Sequence, residues 1–215
     1  MTKINLNPVS FPKILNDNFQ KWKMNLSKTK LKLFKELYSK GQNPHTFLIT
    51  CCDSRIDALD VFSSKPGEIF VLRNIANLIP RYEHKKNECA TAAAIEYAVI
   101  SLKVKNIFIM GHSNCGGVKA YYDNLNKKKP NNNLNNWLKI LTPLNAFIKK
   151  CKSKVSYELL EKQSTVISIK NLLTYKVVKE AVLKKKLKIF ALWYDIQNSD
   201  LEIYDIKKKK FLKIK

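Results

Sequence analysis

Two short β-prone runs constrain this chain more than anything else in it. His45-Thr46-Phe47-Leu48-Ile49-Thr50 runs directly into Cys51-Cys52-Asp53-Ser54-Arg55, and Lys105-Asn106-Ile107-Phe108-Ile109-Met110 runs into Gly111-His112-Ser113-Asn114-Cys115-Gly116-Gly117. Another run, Glu68-Ile69-Phe70-Val71-Leu72-Arg73, follows the turn signal Lys65-Pro66-Gly67. Residues 87–102 are Ala-rich, with Ile95, Val99 and Leu102 at helical spacing. Strands alternating with helices predict an α/β domain: a central, mainly parallel sheet flanked by helices.

The rest of the chain extends that plan. Ile14, Leu15, Phe19, Trp22, Leu26, Leu31, Phe34 and Leu37 predict a helical segment over 13–40, which Gly41 and Pro44 stop. Residues 124–136 form a polar Lys/Asn/Pro loop. Helical patterns return over 137–150 and over 156–186, the second broken once. Lys188–Asp195 and Leu201–Asp205 close the domain as two strands around a turn at Asn198-Ser199-Asp200. The expected organisation is a helical arm over 1–40, an α/β domain over 41–206, and a frayed basic tail over 207–215.

Composition narrows the classes of function. The 215 residues are 45% hydrophobic, which excludes disorder for most of the chain despite a formal net charge of +23. No apolar run approaches the roughly 18–20 residues a membrane-crossing helix needs. The first residues, Met1-Thr2-Lys3-Ile4-Asn5-Leu6, lack the pattern of a secretory signal, so the expectation is a soluble, cytoplasmic protein with no membrane partner. In such a chain five cysteines argue for metal or catalytic roles over a disulfide framework. Of the 40 basic residues, 37 are Lys, scattered along the chain, and three are Arg: Arg55, Arg73 and Arg81. Nucleic-acid recognition favours Arg forks interleaved with stacking aromatics. The charge is therefore read as solvated surface, with no specific nucleic-acid partner. All three Arg fall within 27 residues, where a planar fork is needed.

In open α/β sheets, ligands gather outside the carboxyl ends of the strands. Two such ends here offer thiols and an imidazole, a soft donor set suited to Zn²⁺; three protein donors leave a fourth position open, the catalytic arrangement. Alone, His112 would be a packed histidine and the Cys pair buried small hydrophobes; the joint pattern reverses that. Alternation sends Cys51, Asp53 and Arg55 to one side of the chain and Cys52 to the other, so Cys51 is the expected ligand and Cys52 is expected to pack. Asp53 and Arg55 are spaced for a bidentate ion pair that keeps the carboxylate ionised. Such a carboxylate either accepts a hydrogen bond beside the metal or swings onto it.

Three segments together resemble the β-class carbonic anhydrases, in particular their plant-like members. These are Cys-x-Asp-Ser-Arg at 51–55, Pro-Gly-Glu-Ile-Phe-Val-Leu-Arg-Asn-Ile-Ala-Asn at 66–77, and Gly-His-Ser-Asn-Cys-Gly-Gly at 111–117. The resemblance runs from about residue 12 to 205. It implies Zn²⁺ held by Cys51, His112 and Cys115, with Asp53 and Arg55 as the catalytic pair. It also implies reversible hydration of CO₂ to bicarbonate by attack of a zinc-bound hydroxide. Gln42, Phe70, Ile75, Tyr97 and Gly116 fall where the family lines its substrate site: Gln42 would hydrogen-bond a substrate oxygen, and Phe70, Ile75 and Tyr97 would form an apolar wall. The family further implies a homo-oligomer, dimer or dimer of dimers, whose N-terminal helical arm packs on the partner subunit and whose site lies at the interface. Two departures stand out. Ser101 occupies the place of a shuttle histidine, leaving Tyr97, His84 or buffer as the proton exit. Ala191-Leu192 precedes Trp193 where many members have Gly. The alternatives are hydrolysis of carbonyl sulfide or carbon disulfide at the same zinc site, or a nucleic-acid or acidic-surface binder that retains a structural zinc.

Overall fold

A computed structural model describes residues 11–83, 89–127, 130–151 and 155–214. The chain divides into two compact units, Met1–Gln42 and Asn43–Lys215.

In the first unit, the expected helical segment is present as two helices, α1 (Lys13–Met24) and α2 (Lys28–Lys40). The break has a local cause. The Ser27 hydroxyl accepts the Lys30 N–H at 3.1 Å as an N-cap, a bond available only if Ser27 leaves the helix. Gly41, at φ +77°, ends α2. Phe19 stacks on Trp22 with ring centroids 5.9 Å apart, and Trp22 leans on Phe34.

The second unit is built on a six-stranded sheet: β1 (Thr46–Cys51), β2 (Ile69–Asn74), β3 (Asn106–His112), β4 (Lys188–Asp195), β5 (Asp200–Asp205) and β6 (Lys210–Lys213). The spatial order is β2-β1-β3-β4-β5-β6. The four strands from β2 to β4 run parallel, while β5 and β6 return antiparallel. β6 corrects the expectation of a frayed tail. Asp205 Oδ1 accepts the N–H groups of Lys207 and Lys208, both at 2.9 Å, which turns the chain back so that Phe211 pairs with Tyr204.

Around the sheet lie α3 (Ala58–Val61), α4 (Ala90–Glu96) continued by a π turn over Tyr97–Ser101, α5 (Gly116–Asp123), α6 (Asn133–Leu138), α7 (Leu144–Lys150), α8 (Tyr157–Leu172) and α9 (Lys176–Leu183). The expected break in 156–186 falls between α8 and α9. α6 begins inside the expected polar loop because Asn132 Oδ1 accepts the Asn135 N–H at 2.8 Å.

β1 is buried at all of its positions, as befits a central parallel strand. Alternation sorts its side chains: Phe47 and Ile49 join Ile107 and Ile109 on one face, while Leu48 joins Met110 and Leu192 on the other. The helix α8 carries a buried polar stripe at helical spacing: Glu161, Ser164, Thr165, Ser168 and Asn171. Ser168 donates to Asn77 O, and Asn171 Nδ2 to Ile79 O, so α8 fastens the segment that follows β2. From β1 the chain goes to β2 on one side and, later, to β3 and β4 on the other. The carboxyl ends of β1 and β3 therefore flank a topological switch point.

Candidate metal centre

The backbone delivers three donor atoms to that switch point. Cys51 ends β1, His112 ends β3, and Cys115 precedes α5. Their sulfur and ring-nitrogen atoms all lie within 4.8 Å of one another, and all three residues are buried. His112 is 0% exposed. Its Nδ1 sits 2.9 Å from Ser113 O, a carbonyl that only accepts, so Nδ1 carries a proton and in the neutral ring Nε2 is the nitrogen with the lone pair. That Nε2 has no hydrogen-bond partner among the described residues.

The two sulfurs are unequal. A hydrogen bond from the Cys115 thiol, opposed by burial and helped by His112 and by the N–H groups of Asp53 and Ala76, pulls Cys51 down toward the thiolate. The Ala76 N–H lies 3.4 Å from the Cys51 sulfur. The same bond and burial push Cys115 up. Two buried sulfurs and a buried imidazole nitrogen within 4.8 Å of one another are a soft donor set that fits a divalent cation.

Asp53 and Arg55 stand beside this cluster as a fork: Arg55 Nε donates to Oδ1 at 2.9 Å and Nη2 to Oδ2 at 2.7 Å. The guanidinium holds the Asp53 carboxyl well below the usual carboxylate range. Oδ2 is 4.0 Å from His112 Nε2, so the carboxylate flanks the three donors while turned to the arginine.

Arg73, singled out in the sequence only by the scarcity of arginine, supports the whole β1 exit. Its guanidinium donates to Cys51 O at 2.9 Å, Asp53 O at 2.7 Å and Ile56 O at 3.0 Å. Sequence reasoning passed over Ala76 as well. It sits at φ +61°, which aims its N–H at the Cys51 sulfur. Gly117 makes room for it: a Cβ there would meet the Ala76 Cβ at 2.9 Å. The expectation that Cys52 packs is corrected. Its N–H donates to Asn74 O, and its side chain is exposed, because the strand has already ended.

The proposed substrate-lining residues scatter. Gly116 follows Cys115, with open space where a Cβ would stand. Ile75, 41% exposed, adjoins Ala76. Phe70 pairs with Phe47, four residues before the level of Cys51 and Asn74, hence about 13 Å along the sheet at 3.3 Å per residue. It packs between Phe47 and Tyr97, at ring-centroid distances of 5.4 and 5.8 Å. The chain therefore does not bring Phe70 and Tyr97 to its own donor cluster. Gln42 is exposed at the end of the first unit, and His84 lies outside the described residues.

The comparisons agree with this geometry. The family profile for carbonic anhydrase matches residues 46–201. The chain is 35% identical over 175 residues to beta carbonic anhydrase 3 of Arabidopsis thaliana, covering 78% of this chain and 67% of that one. It is 33% identical over 190 residues to a carbonic anhydrase of Helicobacter pylori strain J99, covering 83% and 85% respectively. The solved structure of the β-carbonic anhydrase CcaA superposes with a TM-score of 0.84 at 28% identity, covering 94% of this chain and 91% of that one. With its three donors at the carboxyl ends of β1 and β3 and its sequence matched over most of its length, this chain belongs to the β-class carbonic anhydrases, a family of lyases.

Proposed function

We propose that this chain hydrates CO₂ reversibly to bicarbonate and a proton, using a Zn²⁺ held by Cys51, His112 and Cys115. The observation that carries this reading is the buried cluster itself: a ring nitrogen of His112 and the sulfurs of Cys51 and Cys115, all within 4.8 Å of one another. Zinc in such a site supplies acidification of water and polarisation of oxygen. The chain's own residues do the rest. Asp53, kept ionised and aimed by Arg55, accepts a hydrogen bond at the open side of the cluster and so orients the nucleophile toward CO₂. Ile75 and Gly116 border the cluster, and Gln42 hydrogen-bonds a substrate oxygen. The enzyme works as a homo-oligomer, in which Phe70 and the exposed Tyr97 of one copy complete the apolar wall of another. Their distance from the cluster in their own chain supports that arrangement, as do the apolar residues Ile14, Leu15, Phe19 and Trp22 exposed on the first unit.

Metal analysis of the purified protein, paired with a CO₂ hydration assay, tests the reading. Zinc is expected at one per chain, and Cys115→Ser is expected to lose metal and hydration together. Protein that hydrates CO₂ without zinc, or a Cys115→Ser variant that keeps both, rules it out.

A further inference from the structure

Glu161 is the buried group that the reaction as read above does not use. It lies on α8 and is only 2% exposed, yet its carboxylate has not been placed there by an ion pair with its neighbour: Lys162 reaches Glu158 at 2.6 Å and Glu202 at 2.8 Å instead. Glu161 Oε1 accepts the backbone N–H of Cys115 at 3.0 Å. The same peptide unit is held at its other end, where Asn114 O accepts from Arg55 Nη2, also at 3.0 Å. Asn114 adopts φ +56°, a left-handed conformation that asparagine tolerates better than most residues.

One peptide plane is thus gripped between a buried glutamate and the arginine of the Asp53 pair. Close packing sets the reach of the glutamate. Thr165, one turn along α8 on the same face, sits where a Cβ on Gly111 would meet its Cγ2 at 2.6 Å, so α8 lies directly against the end of β3.

We propose that Glu161 is a positioning residue of the metal centre. By accepting the Cys115 N–H it fixes the 114–115 peptide, and through that peptide it locks the Cys115 sulfur to the Arg55–Asp53 fork. The inference rests on the metal reading above. What it requires of Glu161 is the acceptor oxygen and its reach, not the charge.

The test uses Co²⁺-loaded full-length protein, following the sulfur-to-cobalt charge-transfer absorption during release of the metal to excess chelator. Groups that orient a ligand typically contribute about 10–100-fold in metal affinity. Glu161→Leu and Glu161→Asp are therefore expected to release cobalt about 10–100-fold faster than the parent, the first lacking the acceptor and the second its reach. Glu161→Gln keeps an acceptor oxygen at the right distance and is expected to stay within about threefold of the parent. Should Glu161→Leu not fold, the Asp and Gln variants decide the matter between them. Equal release rates in the parent and all variants overturn the proposal, as does Glu161→Gln releasing faster than Glu161→Asp, which would make charge the active property. A parent protein that shows no charge-transfer band on adding Co²⁺ overturns the metal reading and this inference with it.

Discussion

His112 Nε2 is a buried polar atom without a hydrogen-bond partner among the described residues, and such an atom costs about 1–3 kcal/mol unless something satisfies it. Asp53, a few ångströms away, has the opposite character, since both of its oxygens are taken by Arg55. Replacing Asp53 by Asn removes one acceptor oxygen and presents an NH₂ group to the guanidinium. The variant is expected to keep its zinc, because Asp53 is not one of the three donors, but to hydrate CO₂ roughly 100-fold more slowly. Metal content and turnover measured on the same preparation separate the two effects. The pair also sets a pH signature. The folded Asp53 carboxyl lies below its unfolded value near 3.9, so its contribution is complete at neutral pH and is lost as pH falls through the folded value. Urea unfolding is expected to show a constant gap between the parent and Asp53→Asn above about pH 5, narrowing below about pH 4. The gap itself is expected to be small, given the exposure of Arg55. A gap that grew on acidification would contradict this sign.

Among the elements, α8 does the most for the site and announced it least. Its position depends on Gly111, where an added Cβ would lie 2.6 Å from Thr165 Cγ2. Gly111→Ala is expected to destabilise the protein by about 1–3 kcal/mol through overpacking. Thr165→Ser, which deletes the obstructing methyl and keeps the hydroxyl bond to Lys162 O, is expected to restore most of that in the double variant, as read by urea unfolding. A double variant no more stable than Gly111→Ala would place the strain elsewhere. The strands β1 and β3 were legible because their runs of β-branched and aromatic residues end abruptly in Cys and His, and the two loops they feed were legible with them. The stripe of Glu161, Ser164, Thr165 and Ser168 was not, because buried polar residues use the same letters as a solvated face; only the tertiary partners at Cys115, Asn77 and Ile79 tell them apart. Arg73 was visible as a rarity, but its three carbonyl partners depend on how the chain turns after β1. The division of 13–40 into two helices turned on one hydroxyl, Ser27, inside an otherwise unbroken apolar period.

At the scale of the whole molecule, charge is the dominant unspent feature. Forty basic residues face 17 acidic ones, so at least 23 positive charges have no acidic counterpart. The best-buried lysine pairing among the described residues, Lys162 with Glu202 over the Trp193 ring, is partly shielded from solvent and responds less to salt than the exposed lysines do. The surplus is spread over exposed lysines and repels itself. Raising ionic strength from about 0.01 M to 0.15 M shortens the screening length from about 30 Å to about 8 Å. The net effect on the fold is therefore stabilisation, and the melting temperature is expected to rise with salt. For a chain of this size, each kcal/mol of repulsion removed corresponds to roughly 2–4 °C. The rise should be of similar size in chloride salts of different cations and in salts of a second monovalent anion, since screening depends on ionic strength and not on ion identity. A melting temperature that fell with added salt would mean that surface ion pairs outweigh the repulsion. A rise confined to one anion would instead mean that the lysines are clustered tightly enough to bind it.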